Sequence, residues 1–186
     1  GSGTVVEIGS EVEGINVGDR VSYAGSGHAD FVKVPKNLFV KLPKGVDFNE
    51  GAFVTLGSIA MQGIRQAKLG LGETVVVYGL GLVGLITTQI LNAYGFKVIG
   101  IDIDDNKIKS AKTFGAISSF NSKLGSEKIS KDIYELTNGY GVDSVIICAA
   151  SMDDSTIVNH AASLCKRNGR IVIVGKVGLE LERKEI

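Results

Sequence analysis

The stretch TVVVYGLGLVGLITTQILNAYGFKVIGID, residues 74–102, decides the fold of this chain. It opens with a short run of β-branched residues and reaches a cluster of glycines. A helical pattern of apolar residues follows over about 83–94, and a second apolar run ends at Asp102. An apolar strand, a helix and another apolar strand are typical of a βαβ unit with parallel strands.

The same alternation of short apolar runs and helical patterns continues to the end of the chain. Because runs that are apolar along their whole length indicate strands buried on both faces, the sequence predicts a doubly wound parallel sheet of the Rossmann type. A left-handed C-cap residue is expected just after each helix, at Gly95, Gly115, Gly139 and Gly169. Further strands are predicted at 117–120, 143–150 and 170–175, and further helices at about 104–114, 126–137 and 153–166.

Residues 1–46 show a different pattern, in which β-branched and aromatic residues alternate with Gly, Asn and Pro. This pattern predicts a small antiparallel β region. Asp47 and Glu50 are spaced as a capping box, and the helix that they begin runs through apolar positions to Ala67. The chain is therefore divided into a partial β-rich region, 1–46, and a nucleotide-binding domain, 47–186. The predicted strands of the first region are TVVEIG, GDRVSYAG, ADFVKVP and LFVKLP.

Gly79, Gly81 and Gly84 form a GxGxxG pattern between the first strand and the helix that follows it. Gly79 allows a tight turn, Gly81 has no Cβ to obstruct a pyrophosphate, and Gly84 lets the helix pack closely on the sheet. The phosphates of a dinucleotide then lie at the helix N-terminus, where free N–H groups and the helix dipole favour an anion. The alternative is that these glycines only make a turn and that Asp102 only caps a helix.

Asp102 ends the second strand, 18 residues after Gly84. A carboxylate at this place accepts hydrogen bonds from the adenosine ribose and repels a 2′-phosphate. Asp104 and Asp105 add to the repulsion, and no arginine follows immediately. The sequence therefore favours NAD over NADP.

The composition excludes several classes of partner. Twenty Lys and Arg balance twenty Asp and Glu, so no basic excess points to nucleic acid. No apolar run approaches the roughly 20 residues that span a bilayer, and no signal-peptide pattern begins the chain. We therefore expect a cytoplasmic protein that contacts no membrane and binds a small-molecule substrate.

Several segments together resemble the medium-chain dehydrogenase/reductase superfamily, which contains the zinc-type alcohol dehydrogenases. The resemblance covers nearly the whole chain and rests on the order and spacing of the segments. It implies that 1–46 is part of a GroES-like catalytic domain whose first half is missing, so that the chain is a fragment. The segments are VGDRV (17–21), HADFVKVP (28–35), LFVKLPKGVDF (38–48), LGETVVVYGLGLVG (71–84), VIGIDID (98–104) and GRIVIVG (169–175).

Two longer stretches, HADFVKVPKNLFVKLPKGV and AFVTLGSIAMQGIRQAKLGLGETVVVYGLG, resemble more closely a branch of this superfamily that is fused to an oxidoreductase domain of the Gfo/Idh/MocA type. The resemblance therefore implies a second oxidoreductase domain in the full-length protein. None of its residues is present in this sequence.

The resemblance also implies cofactor contacts beyond the glycine turn and Asp102. Lys107 would reach the adenosine ribose, although a solvated helix lysine is the alternative. Cys148 to Ala150 and the end of the last strand would lie along the nicotinamide half, and Ser58 would either approach the nicotinamide or pack its helix. The predicted cofactor-binding residues are Gly79, Gly81, Leu82, Val83, Gly84, Asp102, Ile103, Lys107, Ala149, Val174 and Gly175.

Metal ligands are scarce in the sequence. Near Val54 and Thr55, where the resemblance would put the third zinc ligand, no Cys, His, Asp or Glu occurs. Cys148 and Cys165 form no CxxC pair, and buried apolar positions are expected for both. His28 and His160 are expected to be structural or on the surface. We therefore predict no metal site and name no catalytic acid or base.

These observations leave two hypotheses of different classes. The first is a zinc-independent oxidoreductase module that transfers hydride between NAD(H) and an alcohol or carbonyl. The second is a non-catalytic domain that binds or senses the dinucleotide within a larger fused protein, since fold alone does not fix function. A third hypothesis, which the resemblance implies, is self-association through the edge strand of the Rossmann sheet, near the terminal segment GLELERKEI (178–186). The alternative is that the Lys and Glu residues there only protect an exposed strand edge.

Overall fold

The computed structural model describes residues 1–151 and 155–180. The chain divides into two compact units, Gly1–Ser58 and Ile59–Ile186. The boundary between the units lies within a helix, and the second unit starts at Ile59, 12 residues after the predicted start at 47. The predicted folding domains, 1–46 and 47–186, remain a prediction.

The first unit contains a three-stranded antiparallel sheet in the order β1-β2-β3. Gly3 pairs with Val21, and Val21 pairs with Lys41 on the other side, so the middle strand fixes the register of both neighbours. The antiparallel β region that the sequence predicts is therefore present. Its strands are β1 (Ser2–Thr4), β2 (Arg20–Tyr23) and β3 (Phe39–Lys41).

Two of the four predicted strands of this unit were wrong in extent or existence. TVVEIG belongs to β1 only through Thr4, after which Val5 exchanges single backbone hydrogen bonds with Gly18 and Asp19. ADFVKVP, 29–35, forms no strand. Its β-branched residues suit extended backbone, but β-propensity gives a strand only where a partner strand completes the ladder.

The capping box predicted at Asp47 and Glu50 is confirmed. The Asp47 carboxylate accepts from the Glu50 N–H at 2.8 Å, and the Glu50 carboxylate accepts from the Asp47 N–H at 2.9 Å. The helix that it begins, α1 (Phe48–Gly51), ends after one turn, and α2 (Val54–Ala67) follows it. The single helix expected over this stretch is therefore two helices.

The second unit is a parallel sheet of five strands in the order β6-β5-β4-β7-β8, with helices between the strands. The chain moves outward from β4 to β6, then returns to the other side of β4, so a switch point lies between β4 and β7. The predicted Rossmann-type fold is confirmed. Its elements are β4 (Thr74–Tyr78), α3 (Leu82–Ala93), β5 (Lys97–Asp102), α4 (Asp105–Thr113), β6 (Ser118–Asn121), a 3₁₀ turn (Ser122–Leu124), α5 (Ser126–Leu136), β7 (Val142–Ile147), α6 (Thr156–Leu164) and β8 (Cys165–Ile173).

The core of this unit lies in two layers, one on each face of the sheet. Alternate residues of β4 face opposite layers: Val75 and Val77 pack with residues of α2, α3 and α4, whereas Val76 packs with residues of α5 and α6. All three valines are fully buried. Burying such a side chain stabilises the fold by about 1.5–3 kcal/mol, so the apolar strands hold both helical layers to the sheet.

Three of the four predicted helix caps are confirmed, since Gly95, Gly115 and Gly139 have φ of +83°, +99° and +83°. The cap at Gly169 was wrong, because α6 ends at Leu164 and the chain passes directly into β8. Asn168 takes the left-handed conformation there, with φ +63°. A Cβ on Gly169 would lie 2.8 Å from the Lys166 carbonyl oxygen, so this glycine serves a close approach of backbone.

Within residues 1–151 and 155–180, no helix is both long and apolar enough to cross a lipid bilayer. β8 lies at one edge of the five-stranded sheet. Of the segment GLELERKEI, the residues 181–186 lie outside the described residues, as does part of the helix predicted at 153–166.

Candidate functional site

A cleft of about 750 Å³ opens at the carboxyl ends of β4, β5 and β7, beside the switch point of the sheet. In open α/β sheets this is the edge where ligands bind. The cleft brings together six of the residues that the sequence singled out. They are Gly79, Gly81, Asp102, Ile103, Lys107 and Ala149.

Gly79 forms the floor of the cleft together with Ala149. Its φ is +90°, and a Cβ would lie 2.5 Å from the Ala149 nitrogen. The carbonyl of Tyr78 accepts hydrogen bonds from the N–H groups of Cys148 and Ala149, at 2.7 and 3.1 Å. Only glycine therefore fits at position 79, both for its conformation and for the approach of the neighbouring strand end.

Gly81 differs from Gly79, because the protein itself does not require a glycine there. It is the N-cap of α3, with φ −67° and ψ −167°, and a Cβ would meet no protein atom within 4 Å. It provides no side-chain cap, so the first N–H groups of α3, from Leu82 to Gly84, face the cap without a side-chain acceptor. Gly81 itself lines the cleft.

Gly84 packs against the glycine turn, since a Cβ there would collide with the carbonyl oxygen of Gly79. The sequence predicted that Gly84 permits close packing of helix and sheet, and the closest contact is with the turn itself. Leu82, Val83 and Gly84 thus form the first turn of α3 beside the cleft, although none of them lines it.

Val174 and Gly175 lie behind the cleft floor. Their N–H groups both donate to the Ile147 carbonyl at 2.9 Å. A Cβ on Gly175 would collide with the Ala149 carbonyl oxygen, so Ala149 is enclosed between Gly79 and Gly175. Neither Val174 nor Gly175 lines the cleft. Their contact with a cofactor remains a prediction.

Asp102 braces the glycine turn from the neighbouring strand. Its side chain is 8% exposed, and its carboxylate accepts from the Leu80 N–H at 2.6 Å and from the Asp104 N–H at 3.0 Å. The Lys107 ammonium lies 4.0 Å away, half exposed at the cleft. A carboxylate has about four acceptor positions, so two remain for ribose hydroxyls after the two amide bonds. The helix-capping alternative does not describe Asp102, because Asp104 is the N-cap of α4.

The two following acids are engaged in local hydrogen bonds. The Asp104 carboxylate accepts from the Asn106 N–H at 2.8 Å, and the Asp105 carboxylate accepts from the Asn121 amide at 2.7 Å. Both still place negative charge at the start of α4, next to the cleft-lining Ile103 and Lys107. The structure adds Asn121, which sequence reasoning missed because a polar residue at the end of an edge strand carries no motif.

His160 also lines the cleft, which the sequence did not indicate. The residue lies on α6, is 6% exposed, and its Nδ1 is 3.3 Å from the hydroxyl of Tyr78. The two rings pack edge to face, with centroids 5.7 Å apart. Burial lowers the pKa of His160, and a hydrogen bond with the Ser126 backbone partly offsets this effect. His160 is therefore a neutral imidazole at neutral pH.

The residues described here do not fit a zinc site. No group of three His, Cys, Asp or Glu residues in 1–151 and 155–180 could hold a metal ion. Burial raises the pKa of the Cys148 and Cys165 thiols to about 11, so both are protonated at neutral pH. Ser58 donates to the Val54 carbonyl at 2.9 Å within its own helix, which agrees with a packing role.

The parallel sheet and the glycine turn at the switch point define a Rossmann-type unit. Residues 83–185 match the family model described as zinc-binding dehydrogenase, and this match covers more than half of the chain. The chain belongs to the zinc-binding dehydrogenase family. The resemblance to the medium-chain dehydrogenase/reductase superfamily is thereby confirmed, whereas the fused Gfo/Idh/MocA domain remains a prediction.

Known relatives share both the sequence and the architecture of the chain. It is 32% identical over 209 aligned residues to sorbitol dehydrogenase 2 of Saccharomyces cerevisiae, covering 94% of this chain and 58% of that protein. The crystal structure of 2R,3R-butanediol dehydrogenase from Bacillus subtilis matches with a TM-score of 0.82 and 26% identity, over 100% of this chain and 60% of that one. A mycobacterial protein complexed with NADPH matches with a TM-score of 0.85 and 26% identity, over 99% of this chain and 58% of that one. The chain thus spans about three fifths of the length of these proteins.

Proposed function

We propose that this chain is the dinucleotide-binding part of an oxidoreductase that transfers hydride between NAD(H) and an alcohol or carbonyl substrate. A bound nicotinamide supplies the hydride chemistry, and the protein supplies binding and orientation. Sorbitol and butanediol dehydrogenases among the relatives support a small polyol or alcohol as the substrate class.

The observation that carries the proposal is the space at Gly81. The fold would accept a side chain at this position, yet the sequence has a glycine at the N-terminus of α3. Helix N-termini bind phosphate through their free N–H groups and dipole, and a close approach of pyrophosphate needs a residue without Cβ. The arrangement therefore fits a pyrophosphate across Gly81.

The residues around this turn have separate tasks. The first N–H groups of α3 bind the phosphates, and Asp102 holds the Leu80 N–H while its remaining lone pairs accept ribose hydroxyls. Ile103 supplies an apolar wall, since it is 64% exposed at the edge of the cleft. Lys107 lies close enough to the Asp102 carboxylate to share the ribose.

NAD is the preferred cofactor in this proposal, because the buried Asp102 carboxylate would face a 2′-phosphate at close range. We expect NADH to bind at least tenfold more tightly than NADPH in a calorimetric titration, a difference of about 1.4 kcal/mol. Asp102→Ser should narrow this ratio, because it removes the carboxylate that repels the phosphate. Equal affinities of the parent protein for the two cofactors would contradict the assignment.

Asp102→Asn distinguishes the effect of the negative charge at position 102 from the effect of the hydrogen bond with the Leu80 N–H. An asparagine retains one oxygen that can accept from the Leu80 N–H, but it carries no charge. We expect this variant to bind NADPH better than the parent does, with a smaller loss of thermal stability than Asp102→Ser. If both variants lost all cofactor binding, circular dichroism would show whether the fold was retained.

A non-catalytic dinucleotide-binding domain is the second candidate. It is favoured by the ionisable groups of the cleft among the described residues, which already have local tasks: Asp102 holds backbone amides, His160 contacts Tyr78, and the pKa of Cys148 is about 11. The protein should oxidise or reduce a polyol, alcohol or ketone if the first proposal holds. Tight NADH binding without turnover of a panel of such substrates would favour the second.

A further inference from the structure

Asn121 connects the two loops that form the adenosine side of the cleft. It is the last residue of β6 and pairs with Asp102 in the parallel ladder. One of these loops, 103–107, continues into the first turn of α4 and contributes Ile103 and Lys107 to the cleft lining. The other, 122–126, contains the 3₁₀ turn, continues into α5 and contributes Ser122, Gly125 and Ser126. Asn121 itself does not line the cleft.

The side chain of Asn121 uses both donor hydrogens and its oxygen on these loops. Its Nδ2 group donates to the Asp105 carboxylate at 2.7 Å and to the Ile103 carbonyl at 3.3 Å. Its Oδ1 accepts from the Lys123 N–H at 3.0 Å. The amide of Asn121 therefore donates both of its hydrogens to the loop at 103–107, and its oxygen accepts from the loop at 122–126.

We propose that Asn121 is a positioning residue for the adenosine half of the dinucleotide, an inference that rests on the proposed function. The amide fixes the distance between the loop that carries Ile103 and the loop that begins α5. A ligand that enters between the loops then meets walls that are already in place, so it loses less affinity to loop ordering. The glycine turn at Gly81 is not part of this arrangement.

The amide can be tested with a nearly isosteric change. Asn121→Asp keeps the oxygen that accepts from Lys123, but it loses both donors and places a carboxylate against Asp105. We expect the affinity for NADH and for AMP to fall by about fivefold or more, the equivalent of one or two lost hydrogen bonds. Affinity for nicotinamide mononucleotide, which carries no adenosine, should change less than twofold.

Asn106→Asp is the matched control. Asn106 is exposed in the first turn of α4. The same change of side chain and charge therefore occurs one residue from Asp105, while the hydrogen bonds of the Asn121 side chain stay intact. We expect the affinity of this variant for AMP to stay within about twofold of the parent value. If Asn106→Asp weakened AMP as much as Asn121→Asp does, added negative charge would explain the effect and the proposal would be overturned.

A double variant tests the contact itself. Asn121→Asp combined with Asp105→Asn exchanges the carboxylate and the amide, and it restores one hydrogen bond between the two positions. We expect it to recover most of the AMP affinity that Asn121→Asp loses, while Asp105→Asn alone lowers that affinity. Additive losses in the double variant would overturn the proposal.

The outcome also distinguishes this inference from the proposed function. If the parent protein binds neither NADH nor NADPH, the proposed function fails and the inference fails with it. If the parent binds NADH and Asn121→Asp weakens the adenosine and nicotinamide probes equally, only the inference fails. Hydrogen exchange provides a readout without ligand. Asn121→Ala removes the oxygen that accepts from the Lys123 N–H, so exchange at this amide should be faster in Asn121→Ala than in the parent or in Asn121→Asp.

Discussion

Gly81 and Gly79 lie two positions apart, but each is a glycine for a different physical reason. At Gly79 the reason is in the protein, because φ is +90° and the Ala149 backbone leaves no room for a Cβ. At Gly81 a Cβ would meet no protein atom within 4 Å, so the reason that we propose is the approach of a pyrophosphate. Gly81→Ala should therefore mainly lower cofactor affinity, whereas Gly79→Ala should mainly lower the free energy of unfolding.

Gly81→Ala should lower NADH affinity by more than tenfold while costing at most about 1 kcal/mol of unfolding free energy, the usual loss from a poorer N-cap. Gly79→Ala should destabilise the fold by several times more, because it combines backbone strain with a steric clash. Urea denaturation and calorimetric titration measure the two quantities. Undiminished NADH affinity in a folded Gly81→Ala variant would remove the main support for the proposed function.

His160 gives the stability of the fold a dependence on pH. Burial lowers its pKa below the usual 6.5, so between these two values the unfolded chain binds a proton that the folded chain does not. Its contribution is complete at neutral pH and is lost as the pH falls below about 6.5 toward the lowered pKa. His160→Gln should remove this loss, so that Tm falls less between pH 7.5 and pH 5.5 than in the parent.

The control for this prediction is His28→Gln, which removes the other histidine. His28 is exposed in the first unit. The pH profile of this variant should follow that of the parent protein. A steeper fall of Tm in His160→Gln than in the parent would show that the imidazole is charged in the folded state.

At the scale of single elements, α4 depends on one side chain for its N-terminus. The Asp104 carboxylate accepts from the Asn106 N–H at 2.8 Å. Asp104→Ala should therefore lower the unfolding free energy by about 1 kcal/mol, whereas Asp104→Asn, which caps equally well, should lower it far less. Chemical denaturation of the three proteins measures the difference, and equal losses in the two variants would assign the effect to charge.

The elements of the second unit could be predicted from the sequence, because their patterns are local. Fully apolar runs such as 74–78 and glycines such as Gly95 carry the signals of a buried strand and a helix end within a few residues. The strand predicted at ADFVKVP was wrong, because a strand also needs a partner strand, which no local pattern reveals. The helix cap predicted at Gly169 was wrong, because the close approach of this glycine to the Lys166 carbonyl depends on the path of β8.

The part of the candidate site that follows a local spacing could also be predicted from the sequence, and the rest could not. The glycine turn and Asp102 follow a spacing that the sequence displays, and the structure brings them to one cleft. His160 lines that cleft from α6, and Asn121 at the end of β6 bonds to Asp105 and Lys123 beside it, which only the assembled sheet shows. Asp102 also has a task that its spacing did not indicate, since it holds the Leu80 N–H.

At the scale of the whole molecule, β8 offers an edge for self-association. Among the described residues, β8 has one neighbouring strand, β7, and Ile173 is 39% exposed. We propose that two copies pair along this edge, since an unpaired strand edge is a template for another chain. Sedimentation should then show a dimer at high concentration, and Ile173→Lys should shift it toward monomer. Ile117→Lys, at an exposed position away from β8, is the control, and a parent protein that stays monomeric contradicts the proposal.

The enclosure of Ala149 between Gly79 and Gly175 has a consequence for biosynthesis. The cleft floor combines the ends of β4, β7 and β8, and β8 is the last of these strands to be made. A chain still on the ribosome can complete the βαβ unit at 74–102 early, because those contacts are local. It cannot enclose Ala149 until Gly175 has emerged. A nascent chain therefore leaves the glycine turn exposed until Gly175 has emerged, and only then can the cleft be completed.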